Sequence, residues 1–175
     1  AVLLLSAVGV VAWHLLHPEP RFQDKPVSWW LQQKADNSGD WREVTNAKHS
    51  NHPIQVQDLP GMAQEGKQLW FTPADDKGWV EVSFTLDKEL AGDLRGNLIQ
   101  SWDYGIYRVT LDGKELATVD LYAKDVTRKA CDLGKHTLAA GAHTLRFECT
   151  GKSAQSKGYF FGLDSVFVPG SVYER

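Results

Sequence analysis

The chain has 175 residues, a formal net charge of −3 and 42% hydrophobic residues. This length suits one domain of ordinary size plus an appendage, and the composition excludes a disordered or collagen-like chain. The charge argues against nucleic acid as a partner, because a nucleic-acid surface needs a clustered basic face. Seven tryptophans suit both core packing and stacking on sugars or protein side chains.

The first stretch, AVLLLSAVGVVAWHLL at 1–16, contains no Asp, Glu, Lys or Arg. As a hydrophobic helix it spans about 24 Å, and a few residues upstream would complete a membrane span with Trp13 at the interface. Two interpretations stay open: an uncleaved transmembrane anchor, or a signal-peptide core that ends at Ala12. Both send the rest of the chain out of the cytoplasm, so we expect an exported, membrane-anchored protein on the periplasmic or extracellular face.

Residues 17–40 are interpreted as a tether. Prolines at positions 18, 20 and 26 prevent the first helix from continuing. The sequence PVSWWLQQK predicts a short helix that Ser28 caps, with Trp29 and Trp30 packing on the domain or lying on the membrane. ADNSGD at 35–40 has the composition of a loop, and residues 171–175 are predicted to be a tail.

From residue 41 to residue 170 the sequence predicts short strands separated by turns. WVEVSFTL at 79–86 alternates apolar and polar residues, which is typical of an antiparallel strand with one buried face. YGIYRVTL and ELATVDLY flank the pair Asp112 and Gly113, a strong hairpin turn. Strands are also predicted at 54–57, 67–71 and 97–102 and twice between 136 and 170, with a loop at 87–96. This pattern indicates an all-β fold, a β-sandwich.

Two cysteines, Cys131 and Cys149, lie in the part predicted to be exported. Export permits a disulfide between them, and a pair of buried free thiols is the alternative. In HTLRFEC the apolar residues and Cys149 share one face of a strand, so we expect Cys149 to point inward. Two isolated cysteines make a poor zinc site.

Several short motifs resemble those of galactose-binding-like jelly-roll domains, as found beside glycoside hydrolases and in large exported bacterial proteins. They are DYG at 103–105, LDG at 111–113, DLY at 120–122, LAAGAHTL at 138–145 and GLD at 162–164. The similarity covers about residues 68 to 168. It implies a jelly-roll β-sandwich of two antiparallel sheets and a non-catalytic, often carbohydrate-binding module. It says more about the fold than about the function, because such folds host many roles.

The ends of the predicted hairpin carry the residue types that hold a sugar, namely aromatic rings for its apolar face and polar groups for its hydroxyls. The candidate ligand-binding residues are Trp102, Asp103, Tyr104, Tyr122, Lys152 and Tyr159. In the alternative interpretation the tyrosines pack a sheet edge and the aspartates cap loops. No cofactor is expected beyond a structural calcium, whose candidate ligands are Asp103, Asp120 and Asp164.

Three functions follow from these residues. The first is a non-catalytic, exported, membrane-tethered module that binds a polysaccharide or glycan. The second is an assembly module whose sheet face packs on a protein partner or an adjoining domain. A hydrolase is the third, and it is disfavoured because the sequence holds no nucleophile elbow, zinc-protease or phosphate-loop motif. We therefore expect no enzyme.

Overall fold

The computed structural model describes residues 21–22, 25–26, 47–63 and 66–168. The chain divides into two compact units, Ala1–Asp36 and Asn37–Arg175. In the first unit, β1 (Arg21–Phe22) pairs antiparallel with β2 (Lys25–Pro26). The other ten described strands belong to the second unit.

These ten strands form a sandwich of two five-stranded sheets. The strands are β3 (Ala47–His49), β4 (Ile54–Asp58), β5 (Lys67–Phe71), β6 (Trp79–Leu86), β7 (Leu90–Gln100), β8 (Ile106–Leu111), β9 (Lys114–Asp120), β10 (Thr127–Leu138), β11 (Gly141–Gly151) and β12 (Phe161–Phe167). The first sheet has the order β10-β7-β12-β5-β4, and the second has the order β3-β6-β11-β8-β9. Neighbouring strands are antiparallel in both sheets, as the sequence predicts.

The alternation in the sequence explains how β6 and β8 fold. Val80, Val82 and Leu86 are buried on one face of β6, where Phe84 also packs against the core, and Glu81, Ser83 and Thr85 lie on the other face. β8 alternates between partly exposed and buried residues in the same way. Asp112 and Gly113 have φ angles of 49° and 82°. This left-handed pair is what a two-residue hairpin turn requires, so the predicted hairpin is confirmed.

Aromatic side chains join the two sheets at the centre of the core. The ring of Phe161, in the first sheet, lies 4.8 Å from the rings of both Tyr107 and Phe147 in the second sheet. All three side chains are almost fully buried. Burying one such side chain stabilises the fold by about 1.5–3 kcal/mol, so these contacts help to hold the two sheets together.

Two parts of the strand pattern differ from the prediction. The loop predicted at 87–96 is wrong from Leu90 onward, because β7 runs from Leu90 to Gln100 between β10 and β12. Both neighbours supply backbone hydrogen bonds that the Gly- and Asp-containing sequence did not indicate. β10 was not predicted either. Among the described strands it lies at the edge of its sheet, where a strand needs few apolar residues, and its charged exposed face hides the strand pattern in the sequence.

The predicted helix of 1–16, the predicted helix that Ser28 caps and the tail of 171–175 lie outside the described residues. Within the part of the chain that the structure describes, no helix is long and apolar enough to cross a membrane.

Both cysteines are buried free thiols. Cys131 lies on β10 and Cys149 on β11, in different sheets. Cys149 points inward as predicted, with 4% of its surface exposed. Burial raises the pKa of both thiols, so neither is a ready nucleophile.

Candidate functional site

The chain between β7 and β8 forms one part of a surface at one end of the sandwich. We call this surface the hairpin-end rim, and it consists of residues 101–105, 120–123 and 152–160. On one side, the backbone N–H of Ser101 donates to Leu121 O at 3.1 Å, and the N–H of Ala123 donates to Ser101 O at 3.1 Å. The rim therefore begins where the chain leaving β7 pairs with the chain that follows β9.

The loop after β11 holds the same segment from the other side. The N–H of Lys157 donates to Trp102 O and the N–H of Phe160 donates to Asp103 O, both at 3.0 Å. The buried Ser156 hydroxyl donates to Tyr104 O at 2.7 Å. Because these bonds fix three successive carbonyl groups, the side chains of 102–104 project from a fixed backbone.

Trp102 is the aromatic side chain of the rim that is most open to solvent, with 46% of its surface exposed. Its backbone oxygen is bonded to the loop after β11, which fixes the backbone from which the indole projects. A large exposed ring on a fixed backbone offers a flat apolar surface to a ligand at a small cost in ordering entropy.

Two oxygen atoms of the rim are buried without a hydrogen-bond partner among the described residues. They are Asp103 Oδ1 and Ser153 Oγ. Leaving such a group unsatisfied costs about 1–3 kcal/mol, so a buried water beside these atoms would stabilise the rim. Ser153 was not among the candidates, because a serine in a polar loop carries no signal in the sequence.

Lys152 and Tyr159 meet within the loop after β11. The Lys152 Nζ atom lies 4.7 Å from the centre of the Tyr159 ring, a cation–π contact. The Tyr107 hydroxyl donates to Tyr159 O at 2.6 Å, which holds the backbone beneath that ring. This pair therefore places an aromatic ring and a positive charge on the rim, and their role in ligand binding stays a prediction.

Tyr122 is half-buried where the chain leaves β9. Its N–H donates to Asp120 Oδ1 at 2.9 Å, and Gln100 Nε2 donates to its carbonyl at 3.3 Å. The Asp120 carboxylate therefore closes a local turn, which is a common use of aspartate in loops.

Tyr104 lies in the core and not on the exposed surface of the rim. Only 4% of its surface is exposed, and its hydroxyl lies 3.4 Å from Gln68 Oε1. Burial raises the pKa of this phenol well above its usual range. The prediction that Tyr104 contacts a ligand is corrected on this ground, since its ring packs inward against β5.

The three candidate calcium ligands do not come together. Asp120 closes the turn before Tyr122, and Asp164 is fully buried on β12 with Oδ2 3.5 Å from Arg128 Nη1. Over the described ranges, no three His, Cys, Asp or Glu side chains are grouped closely enough to hold a metal ion. Asp103, Asp120 and Asp164 are thus not one ligand set.

No protein-family model matches the chain, and none of the curated proteins matches it. Several solved structures are similar to the chain. A xanthan lyase from Paenibacillus matches with a TM-score of 0.61 and 23% identity over 71% of this chain, which spans 12% of the lyase chain. A family 35 carbohydrate-binding module from an environmental isolate matches with a TM-score of 0.50 and 11% identity, over 73% of this chain and 90% of that one. These likenesses confirm the predicted resemblance at the level of the fold.

Proposed function

We propose that the chain is a non-catalytic carbohydrate-binding module that binds a polysaccharide or glycan at the hairpin-end rim. The observation that carries the proposal is the exposure of Trp102, 46% of whose surface is open beside polar groups held by the same loop. The fold shared with a family 35 carbohydrate-binding module supports the choice of ligand class.

The rim supplies both kinds of contact that a sugar needs. The Trp102 indole is a platform for the apolar face of a sugar ring. Asp103 contributes Oδ2 as an acceptor, since Oδ1 is buried, and the Lys152 ammonium contributes donors for hydroxyl groups. Because hydrogen bonds to the backbone already fix the segment 102–104, little ordering entropy remains to be lost on binding. This mechanism is adhesion without bond cleavage.

A glycan array with the full chain, with and without calcium, tests the proposal. The decisive variant is Trp102→Ala, and Met62→Ala is the matched control because 44% of the Met62 surface is exposed far from the rim in sequence. Losing the indole platform removes about 1.5–3 kcal/mol of apolar contact, so we expect affinity to fall roughly 10- to 100-fold.

Binding that survives in Trp102→Ala, or falls equally in Met62→Ala, would contradict the site. Binding to no glycan in either calcium condition would contradict the function. That second result would favour the assembly module, for which the exposed Val56 on β4 and the exposed Met62 are the specific observations.

The proposal includes export and tethering through the hydrophobic segment 1–16. A tether would raise the effective concentration of the module against glycans near the membrane. Extraction of membranes with alkaline carbonate tests this part. The full chain should stay in the pellet, and release into the supernatant would indicate that the segment does not anchor it.

A further inference from the structure

A second concave surface lies on the outer face of the first sheet, and none of its lining residues belongs to the rim. It is a groove of about 450 Å³. The residues that line it come from three adjacent strands and are Asp93, Arg95, Asn97, Ala130, Cys131, Asp132 and Phe167. Pockets of about 300–1,000 Å³ are the usual size of small-ligand sites.

The strand register explains why the groove exists. Arg95 lies opposite Asp132 on β10 and opposite Phe167 on β12, which makes a row of long side chains across three strands. The next outward row has Asn97 opposite Ala130 and Ser165. Paired residues face the same side of a sheet, so the short side chains of the second row leave a depression beside the first.

The polar side chains of the groove are held in place by the protein itself. Arg95 Nη2 donates to Asp93 Oδ2 at 3.0 Å, and Asp93 Oδ1 also accepts a 3.2 Å ion pair from Lys135. Asn97 Nδ2 donates to Ser165 Oγ at 2.9 Å.

Asp132 is held as well, since its Oδ1 accepts the backbone N–H of Gly134 at 2.9 Å. Each of these groups has hydrogen-bonding capacity beyond the bonds that orient it, because a guanidinium has five donors and a carboxylate accepts several bonds. Such a preorganised set of donors and acceptors is what a small polar ligand requires.

The charges of the groove select the class of ligand. The carboxylates of Asp93 and Asp132 are balanced by the guanidinium of Arg95 in the lining and by the ammonium of Lys135, which lies outside the lining 3.2 Å from Asp93 Oδ1. An anionic or cationic ligand would therefore meet no excess of opposite charge. A neutral molecule with many hydroxyl groups matches the mixture of donors, acceptors and one apolar wall.

We propose that this groove is a second saccharide-binding site, specific for neutral sugars and separate from the hairpin-end rim. The ligand class rests on the function proposed above, whereas the location rests on the groove alone. Arg95 and Asn97 donate to sugar hydroxyls, and Asp132 accepts from them. A module with two sites would hold a polysaccharide at two points and gain avidity.

The test is an amide-resolved NMR titration of the full chain with neutral tetra- to hexasaccharides of β-1,4-linked glucose, mannose and xylose. We expect saturable shifts of the amides of 95–97 and 130–132, measured separately from those of 102–104 and 122. The blocking variant is Ala130→Leu, which fills the groove from an exposed position. The matched control is Thr137→Leu, exposed on the same strand and outside the groove.

Ala130→Leu should weaken binding at the groove amides at least roughly tenfold and leave the rim amides unchanged, while Thr137→Leu should change neither. Shifts of the groove amides without shifts of the rim amides would support this proposal and contradict saccharide binding at the hairpin-end rim. Rim shifts without groove shifts, or groove shifts that persist in Ala130→Leu, would overturn it. An oligogalacturonate that shifts the groove amides more strongly than the neutral probes would overturn the choice of neutral sugars.

Discussion

Asp112 and His143 join the β8–β9 turn to the start of β11, with Asp112 Oδ2 2.7 Å from His143 Nδ1. Asp112 Oδ1 accepts the N–H of Thr144 at 2.8 Å, and His143 Nε2 lies 2.9 Å from Ala139 O. Both ring nitrogens thus face acceptors, and only the imidazolium donates to both at once. The pair fastens the predicted hairpin to a turn more than twenty residues further along the chain.

This pair should make stability depend on pH. The bond to the Ala139 carbonyl and the bond to Asp112 raise the pKa of His143. The stability that His143 contributes is therefore complete below its unfolded pKa of about 6.5 and is lost as the pH rises through its higher folded pKa. For Asp112, partial burial opposes ionisation, but bonds from His143 and Thr144 lower its pKa overall. Its contribution is present above about pH 4 and is lost as the pH falls through the folded value.

The predicted variant is His143→Gln, measured by urea unfolding at several pH values. We expect the variant to lose about 1 kcal/mol in the free energy of unfolding between about pH 4 and pH 6.5. The loss should be smaller at about pH 8.5, because His143 of the wild type is deprotonated there and no longer donates two hydrogen bonds, whereas glutamine does not titrate. A penalty that is equal at both pH values would show that the ring acts only by packing against Phe84, whose centroid is 5.5 Å away.

Gly162 sits where the backbone of β12 closely approaches its neighbours. A Cβ atom there would overlap Gln68 Oε1 and would lie 3.0 Å from Ile99 Cβ. Gly162→Ala should therefore destabilise the fold by about 1–3 kcal/mol through overpacking. Gly96→Ala on the adjacent strand is the matched control, since its Cβ would meet only Leu133 Cδ1 at 3.9 Å. Equal urea midpoints for the two variants would contradict the packing described here.

Tyr104→Phe separates a core role from a ligand-binding role. Removing the hydroxyl deprives the buried Gln68 side chain of one partner, although its bond to Gln57 remains. We expect a loss of about 1 kcal/mol in the free energy of unfolding and no change in glycan affinity. A large loss of affinity in a variant with unchanged stability would return Tyr104 to the ligand-binding residues.

The two thiols should react only when the chain unfolds. Burial raises the pKa of Cys131 and of Cys149, and the thiolate is the reactive form. Alkylation by iodoacetamide near pH 8, followed by mass spectrometry, should be roughly tenfold or more slower in the native chain than in guanidinium chloride. Rapid native labelling of either cysteine, or a mass that corresponds to a disulfide, would contradict the buried free thiols.

Two of the strands that the sequence predicted most clearly, β6 and β8, show alternation of apolar and polar residues. In β6 and β8 a period of two places every second side chain in the core, and this period can be read without knowing the partner strand. The turn at Asp112 and Gly113 was equally readable, because few residue pairs adopt left-handed angles in succession. The exposed Trp102 and the pair Lys152 and Tyr159 were proposed from residue type and from their places beside turns.

The sequence by itself determined the all-β class and the main hairpin, because these depend on local periodicity and turn chemistry. The tertiary structure decided that Tyr104 packs inward, that the candidate calcium ligands stay apart and that Arg95 and Asn97 line a groove with Ala130. Each of these depends on the register between strands distant in sequence. A shift of one residue in pairing would turn every side chain to the other face, so no local pattern could have revealed them.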